Sequence, residues 1–355
     1  AGSEPENVTG HVQKREDSAR EVAMGGTHGD PALASARGGL AEVTLPTRRE
    51  FLQVSVALVL AGCDRSREAQ PGLAPASGVI PVEGAQLRYV IEGEGIPCLV
   101  LGHSESQRLL LSQALRGRFR FYFLDLRHDA ESQNALDVAQ ITLDTYLDDV
   151  DTARRTLGLD KTALFGHSHH ALIALEYART HPQNVTHVIM TACSPRAEWG
   201  AGEEFWESDG SEERKRIFEQ NLLDNPQEVL ATLTPQERFV RTYQLQAPKL
   251  LYDPNFDISA LLEPVHNDTE VFLHLQLEIL KDYDIAARPE QISTPVFLAL
   301  GRFDYVSPYT LWDDRREVIQ DLSYHLFERS GHFPMVEEQG LFDQKLLEWI
   351  NRTIT

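Results

Sequence analysis

Cysteine is scarce in this chain: Cys63, Cys98 and Cys193 are the three present in 355 residues. None stands in a CxxC pair, which argues against a disulfide framework and against a thiolate metal site. Positive charge is also short, with 33 Lys and Arg against 54 Asp and Glu and a formal net charge of -21. Such a surface repels phosphate backbones, so no nucleic-acid partner is expected, and the acidity is read as a solubility device. The apolar stretch at 54–60 falls far below the roughly 20 residues that a spanning helix needs. Core-forming material is plentiful, with 42% hydrophobic and 25% charged residues. The length suits one large domain carrying an insertion, or two ordinary domains.

The first 46 residues are polar, rich in Gly, Ala, Ser and Glu, and without apolar period, which predicts a disordered leader. Residues 47–63 pair a twin arginine, Arg48-Arg49, with a short apolar stretch ending in Leu60-Ala61-Gly62-Cys63. This order resembles a Tat export signal joined to a bacterial lipobox. The resemblance implies an exported protein anchored to the membrane through a lipidated Cys63. If 47–63 is instead a short buried element, a cytoplasmic protein is expected. Residues 64–77 read as a charged, then Pro-, Gly- and Ala-rich tether.

From residue 78 strands and helices alternate. An opening hairpin (79–82 and 86–91) turns at Glu83-Gly84. Short apolar runs at Cys98–Leu101, Phe119–Leu126, Thr162–Phe165 and Val188–Ala192 read as buried strands, with helices at Leu143–Leu157 and Ala171–Arg179 between them. That rhythm predicts a mostly parallel sheet with right-handed crossovers. It breaks over 197–290, where only helical segments are evident, and resumes with strands at Pro295–Leu300 and Ser323–Phe327 and a helix at Leu341–Ile350. The division is therefore a core of 78–196 and 291–355, with 197–290 as a helical cap above the strands' carboxyl ends, where ligands bind in such sheets.

Phe165-Gly166-His167-Ser168-His169-His170-Ala171 joins a predicted strand to a predicted helix, the setting of a nucleophile elbow. Gly166 supplies the small neighbour that a sharp turn needs; His170 stands where a second glycine is usual. Asp304 leaves the penultimate strand and His332 the last one, the chain order of an elbow enzyme's acid and base. A serine hydroxyl needs a base to take its proton, and a carboxylate to hold that base's tautomer. Taken singly, Ser168 reads equally well as a helix cap, Asp304 as a turn former and His332 as a loop histidine. The backbone N–H groups of His169 and of His103, in Leu101-Gly102-His103-Ser104, are nominated as oxyanion donors. The histidines around Ser168 are expected to diverge, so no metal is expected. Cys193 lies near the same rim without an activating partner.

The stretches Asp125-Leu126-Arg127, the elbow, Ala178 to Val185, Gly301-Arg302-Phe303-Asp304, and Ser330-Gly331-His332-Phe333-Pro334 with Glu337-Glu338 resemble the α/β-hydrolase fold, and within it the proline iminopeptidase-related branch. The resemblance covers about 80–352. It implies an eight-stranded sheet, a helical cap after the sixth strand, and cofactor-free hydrolysis of small esters, amides or peptides. It also implies that cap carboxylates hold a substrate's amino group, for which Glu270 and Glu278 are the candidates, although both also suit an ordinary acidic helix surface. The usual His-Gly-Gly-Pro-Gly-like oxyanion loop is replaced here by Leu101 to Glu105. Alternative readings are carbon–carbon bond hydrolysis or perhydrolysis by the same residues, and a non-catalytic ligand-binding lipoprotein. Dehalogenase and epoxide hydrolase chemistry is disfavoured, since it uses aspartate where Ser168 stands.

Overall fold

The computed structural model describes residues 76–130, 137–197, 200–266, 268–288 and 291–354. The leader, the Tat- and lipobox-like segment with Cys63, and the tether up to 75 lie outside the described residues. The strand that opens the domain begins earlier than its apolar pattern indicated, taking in Ala76 and Ser77 from the assigned tether.

Eight strands form one sheet in the order β1-β2-β4-β3-β5-β6-β7-β8. They are β1 (Ala76–Val82), β2 (Ala85–Gly93), β3 (Ile96–Leu101), β4 (Phe119–Leu124), β5 (Thr162–His167), β6 (Val185–Thr191), β7 (Val296–Gly301) and β8 (Leu322–Phe327). Only the pairings β1 with β2 and β2 with β4 are antiparallel. Alternation along the buried strands sorts side chains onto two faces. Leu99, Leu101, Leu164, Val188, Met190 and Leu298 join one core, and Cys98, Val100, Phe121, Phe165, Ile189 and Phe297 the other. Both faces are covered, which is why these strands read as continuous apolar runs.

The helices of the core are α1 (Ser104–Leu110), α2 (Leu143–Thr156) and α3 (His169–Thr180). Helix α2 opens with a capping box between Thr142 and Thr145. Between β6 and β7 the described chain is helical: α4 (Ala201–Asp209), α5 (Glu212–Asp224), α6 (Gln227–Leu230), α7 (Pro235–Leu245), α8 (Ala247–Leu250), α9 (Ser259–Leu262) and α10 (Thr269–His274), the last running into a single π turn at Leu275–Ile279. A short α11 (Pro334–Glu337) and α12 (Gln339–Thr353) close the fold, with Phe342, Leu346 and Trp349 of α12 entering the second core. No helix among the described residues is long and apolar enough to cross a membrane.

The chain reverses its direction of travel across the sheet between β3 and β5, which lie side by side with Leu101 opposite Gly166. Ligands bind at such switch points, beyond the carboxyl ends of the strands. The loops that begin at Gly102 and at Ser168 therefore emerge together.

Candidate functional site

Ser168 stands between the end of β5 and the start of α3 with φ 56° and ψ -132°. A side chain rarely adopts this backbone, at a cost of about 1–3 kcal/mol, so the surrounding structure must impose it. The imposing contacts are visible: Ser168 N–H donates to Thr191 O at 2.8 Å, and Ala171 N–H to Ser168 O at 3.0 Å. A Cβ on Gly166 would lie 2.5 Å from the Ala171 backbone, so the turn accepts only glycine there. The crowding expected from His170 is resolved on another element. Its imidazole occupies the space that a Cβ on Gly102 (φ +86°) would fill, so one glycine just past the neighbouring strand makes room for a histidine in the elbow. Ser168 remains partly exposed, and among the described residues its hydroxyl makes no hydrogen bond.

Asp304 and His332 meet in the loops leaving β7 and β8. His332 Nδ1 lies 2.7 Å from Asp304 Oδ2. An ionised carboxylate only accepts, so Nδ1 carries the hydrogen and Nε2 is left with a lone pair. The other oxygen, Oδ1, accepts from Val306 N–H at 3.0 Å and Ser307 N–H at 2.8 Å. One oxygen of Asp304 thus closes a turn while the other meets the His332 imidazole.

The histidine loop is held by groups to which the sequence reading assigned no such role. His332 N–H donates to Leu250 O of the helical insertion at 2.6 Å. Half-buried Glu337 accepts from Gly331 N–H at 2.9 Å, Phe333 N–H at 3.3 Å and Tyr252 N–H at 2.6 Å. His167 packs its ring 4.8 Å from that of His332 and donates from Nε2 to His332 O at 2.9 Å. Burial, with His332 alongside, lowers His167 to about 3, so it is neutral. This contact seats the residue before Ser168 against His332.

Of the two nominated oxyanion donors, His169 is the first residue of α3, and the first amides of a helix have no intrahelical acceptor. The His103 nomination is corrected by the structure: its N–H donates to Asp129 Oδ2 at 3.0 Å. Ser104 N–H is engaged as well, by Asp125 Oδ1 at 2.7 Å. Two aspartates spaced four apart in Asp125-Leu126-Arg127-His128-Asp129 reach across from the end of β4 and take up the loop's amides. That spacing was the available signal.

A second correction concerns the histidines. They converge rather than diverge. His128 Nε2 lies 3.0 Å from His170 Nε2, 3.3 Å from His169 Nε2 and 3.2 Å from Asp129 Oδ1. Burial lowers His128 to about 4 and holds His169 and His170 well below the ordinary imidazole value, so these rings are neutral. Burial alone would raise Asp129, but His103 beside it outweighs that and holds its carboxyl well below the usual carboxylate range. His103 is opposed by burial yet raised by Asp129, whose Oδ1 lies 2.8 Å from its Nδ1. Among the described residues two groups of three could hold a metal ion, His128 with His169 and His170, and His103 with Asp129 and His170.

Other named residues play no such part. Cys98 and Cys193 are buried, which pushes both thiols up and away from reactivity. Glu270 is exposed, and Glu278 is an exposed partner of Lys281 at 3.1 Å. Glu278 borders a surface groove of about 730 Å³ that none of Ser168, Asp304 and His332 lines.

A mostly parallel eight-stranded sheet, a strained strand-to-helix serine turn, and an Asp–His pair at the ends of the last two strands define a hydrolase of the doubly wound type. The family model for the alpha/beta hydrolase fold matches residues 96–339, and the chain belongs to that family. It is 32% identical over 280 residues to an AB hydrolase superfamily protein of Bacillus subtilis (strain 168), YclE, covering 78% of this chain and 99% of that one. It is 26% identical to a proline iminopeptidase of Heyndrickxia coagulans, over 74% of this chain and 93% of that one. It is 28% identical to a pimeloyl-acyl-carrier-protein methyl ester esterase of Aliivibrio fischeri (strain ATCC 700601 / ES114), over 54% and 70% respectively. Among solved structures, an alpha/beta fold family hydrolase from Bacillus anthracis str. Sterne superposes with a TM-score of 0.60 at 21% identity, over 79% of this chain and 99% of that one.

Proposed function

We propose that the protein is a serine hydrolase of small esters, acting through an acyl-enzyme on Ser168. The observation that carries this reading is the 2.7 Å contact between His332 Nδ1 and Asp304 Oδ2, which leaves His332 Nε2 as a base. In the first step Nε2 takes the Ser168 proton as Oγ attacks the substrate carbonyl, and the His169 N–H donates to the developing oxyanion. The imidazolium, stabilised by Asp304, then protonates the leaving alcohol. A water activated by the same Nε2 releases the acid and restores Ser168.

Two observations shape the substrate reading. Glu270 and Glu278 are both exposed, so neither offers a buried anion for a substrate's terminal ammonium, which favours esters over N-terminal peptide bonds. With the His103 amide held by Asp129, the oxyanion has one of the two nominated donors. Removing one such donor costs about 10²–10³ in kcat, which favours activated esters over more stable amides.

The direct test is hydrolysis of p-nitrophenyl acetate and butyrate against proline and alanine p-nitroanilides, with Ser168→Ala alongside. Turnover of the esters is expected, lost by at least about a thousandfold in the variant. Turnover that survives Ser168→Ala would sink the assignment, and preference for the prolyl anilide would sink the ester reading. The engaged His103 amide also supports a second reading, a fold that binds a ligand without catalysis; it requires that none of the four substrates turn over.

A further inference from the structure

The four groups at the histidine cluster cannot all be satisfied by hydrogen bonds. His128 Nε2 can carry one hydrogen, yet three acceptor-capable atoms crowd it at 3.0, 3.3 and 3.2 Å. His128 Nδ1 faces Tyr146 Oη at 3.2 Å, so that side of the ring is already partnered. Asp129 is already partnered: its Oδ1 lies 2.8 Å from His103 Nδ1, and its Oδ2 accepts from two backbone N–H groups, those of His103 and Leu126. Three imidazole nitrogens therefore share one small space beside the Asp129–His103 pair.

Their spacing has a simple reading. Donors at about 2.0–2.1 Å from a tetrahedral ion stand about 3.3–3.4 Å apart. The separations of 3.0 and 3.3 Å from His128 Nε2 to His170 Nε2 and His169 Nε2 are close to that edge. The three imidazole donors lie within 4.8 Å of one another. The surroundings match as well. Tyr146 orients the outer nitrogen of His128, and Phe272 of α10 covers the cluster with its ring 5.9 Å from His128 and 5.5 Å from His169. An oriented outer nitrogen and an apolar cover are features that tune metal sites.

We propose that His128, His169 and His170 bind one divalent transition-metal ion of the zinc class, with water as the fourth ligand. Two ligands follow Ser168 directly and one comes from the loop after β4, so the ion ties the first turn of α3 to that loop. Imidazole donors suit zinc, cobalt or copper rather than magnesium or calcium. The site is distinct from the hydrolytic pair Asp304–His332 and does not depend on it.

The test uses tag-free Ser168→Ala protein, which cannot turn over ester by the proposed route and keeps all three donors. After chelator treatment it is titrated with Co²⁺, then with Zn²⁺. One equivalent of Co²⁺ is expected to bind with the strong visible absorption of a four-coordinate ion, and Zn²⁺ to abolish it. His128→Gln and His169→Gln should each weaken binding by at least about tenfold, while His181→Gln, at a histidine outside the cluster, leaves it unchanged. His169 is partly exposed, so its variant serves if the fully buried His128 position does not tolerate change. No stoichiometric binding, or binding that both cluster variants retain while folded by circular dichroism, overturns the site. Because the readout is absorption by an inactive variant, its failure and failure of the hydrolase reading are separate results.

Discussion

Ser168 is held in a backbone conformation that suits glycine better than any residue with a Cβ, and that has a measurable consequence. Ser168→Ala keeps the Cβ and should leave stability within about 0.5 kcal/mol of the parent. Ser168→Gly removes the Cβ from a φ of 56° and should be the more stable inactive variant by about 1 kcal/mol, read by urea unfolding. Equal stability of the two would show that the turn is not strained. At the same scale the His103 amide illustrates how a plausible donor is lost. Nothing in Leu101-Gly102-His103-Ser104 reveals that Asp129 reaches its N–H, because that contact joins residues 26 apart.

At the scale of elements, edge strand β8 and β6, on either side of β7, place histidines near α12. His325 packs against Phe297 of β7 at 4.7 Å, and His187 meets Trp349 edge-on at 5.2 Å. Burial, then Lys345 and Arg352, lowers His325 from 6.5 to about 4, and burial lowers His187. The unfolded chain takes up these protons near pH 6.5 while the folded one resists until lower pH. Their contribution to stability is therefore complete above pH 6.5 and lost as pH falls towards 4. The full shift at His325 corresponds to about 3 kcal/mol, which screening at a partly exposed edge reduces to about 1–2 kcal/mol. Urea midpoints at pH 7.5 and 5 should differ less in His325→Gln than in the parent; an unchanged difference would remove His325 from the account.

The sheet was legible in the sequence because each strand of its centre is a short run buried on both faces, bounded by glycine or turn residues. Asp304 and His332 could be picked out because each follows a strand at its carboxyl end. Helix α1 was not legible: it begins directly at Ser104, after His103 in a left-handed conformation (φ 41°, ψ 61°), with no side-chain cap to announce it. The convergence of His128 with His169 and His170 was hidden for a related reason. It depends on how the β4 loop packs over the elbow, and no local spacing encodes a contact across some forty residues.

For the whole molecule, strand order decides where chemistry can occur. The reversal between β3 and β5 brings Gly102 beside the elbow, the parallel run β5-β6-β7-β8 delivers Asp304 and His332 to the same rim, and the helical insertion braces the histidine through Leu250. Everything in the hydrolase reading rests on Ser168 being activated by that assembly. The measurement that addresses this most directly is labelling with a fluorophosphonate probe, read by intact mass and peptide mapping, on the parent, Ser168→Ala and His332→Ala proteins. A single adduct on Ser168, absent from the first variant and strongly reduced in the second, is the expected result. No adduct on the folded parent, or an adduct that persists in Ser168→Ala, would contradict it.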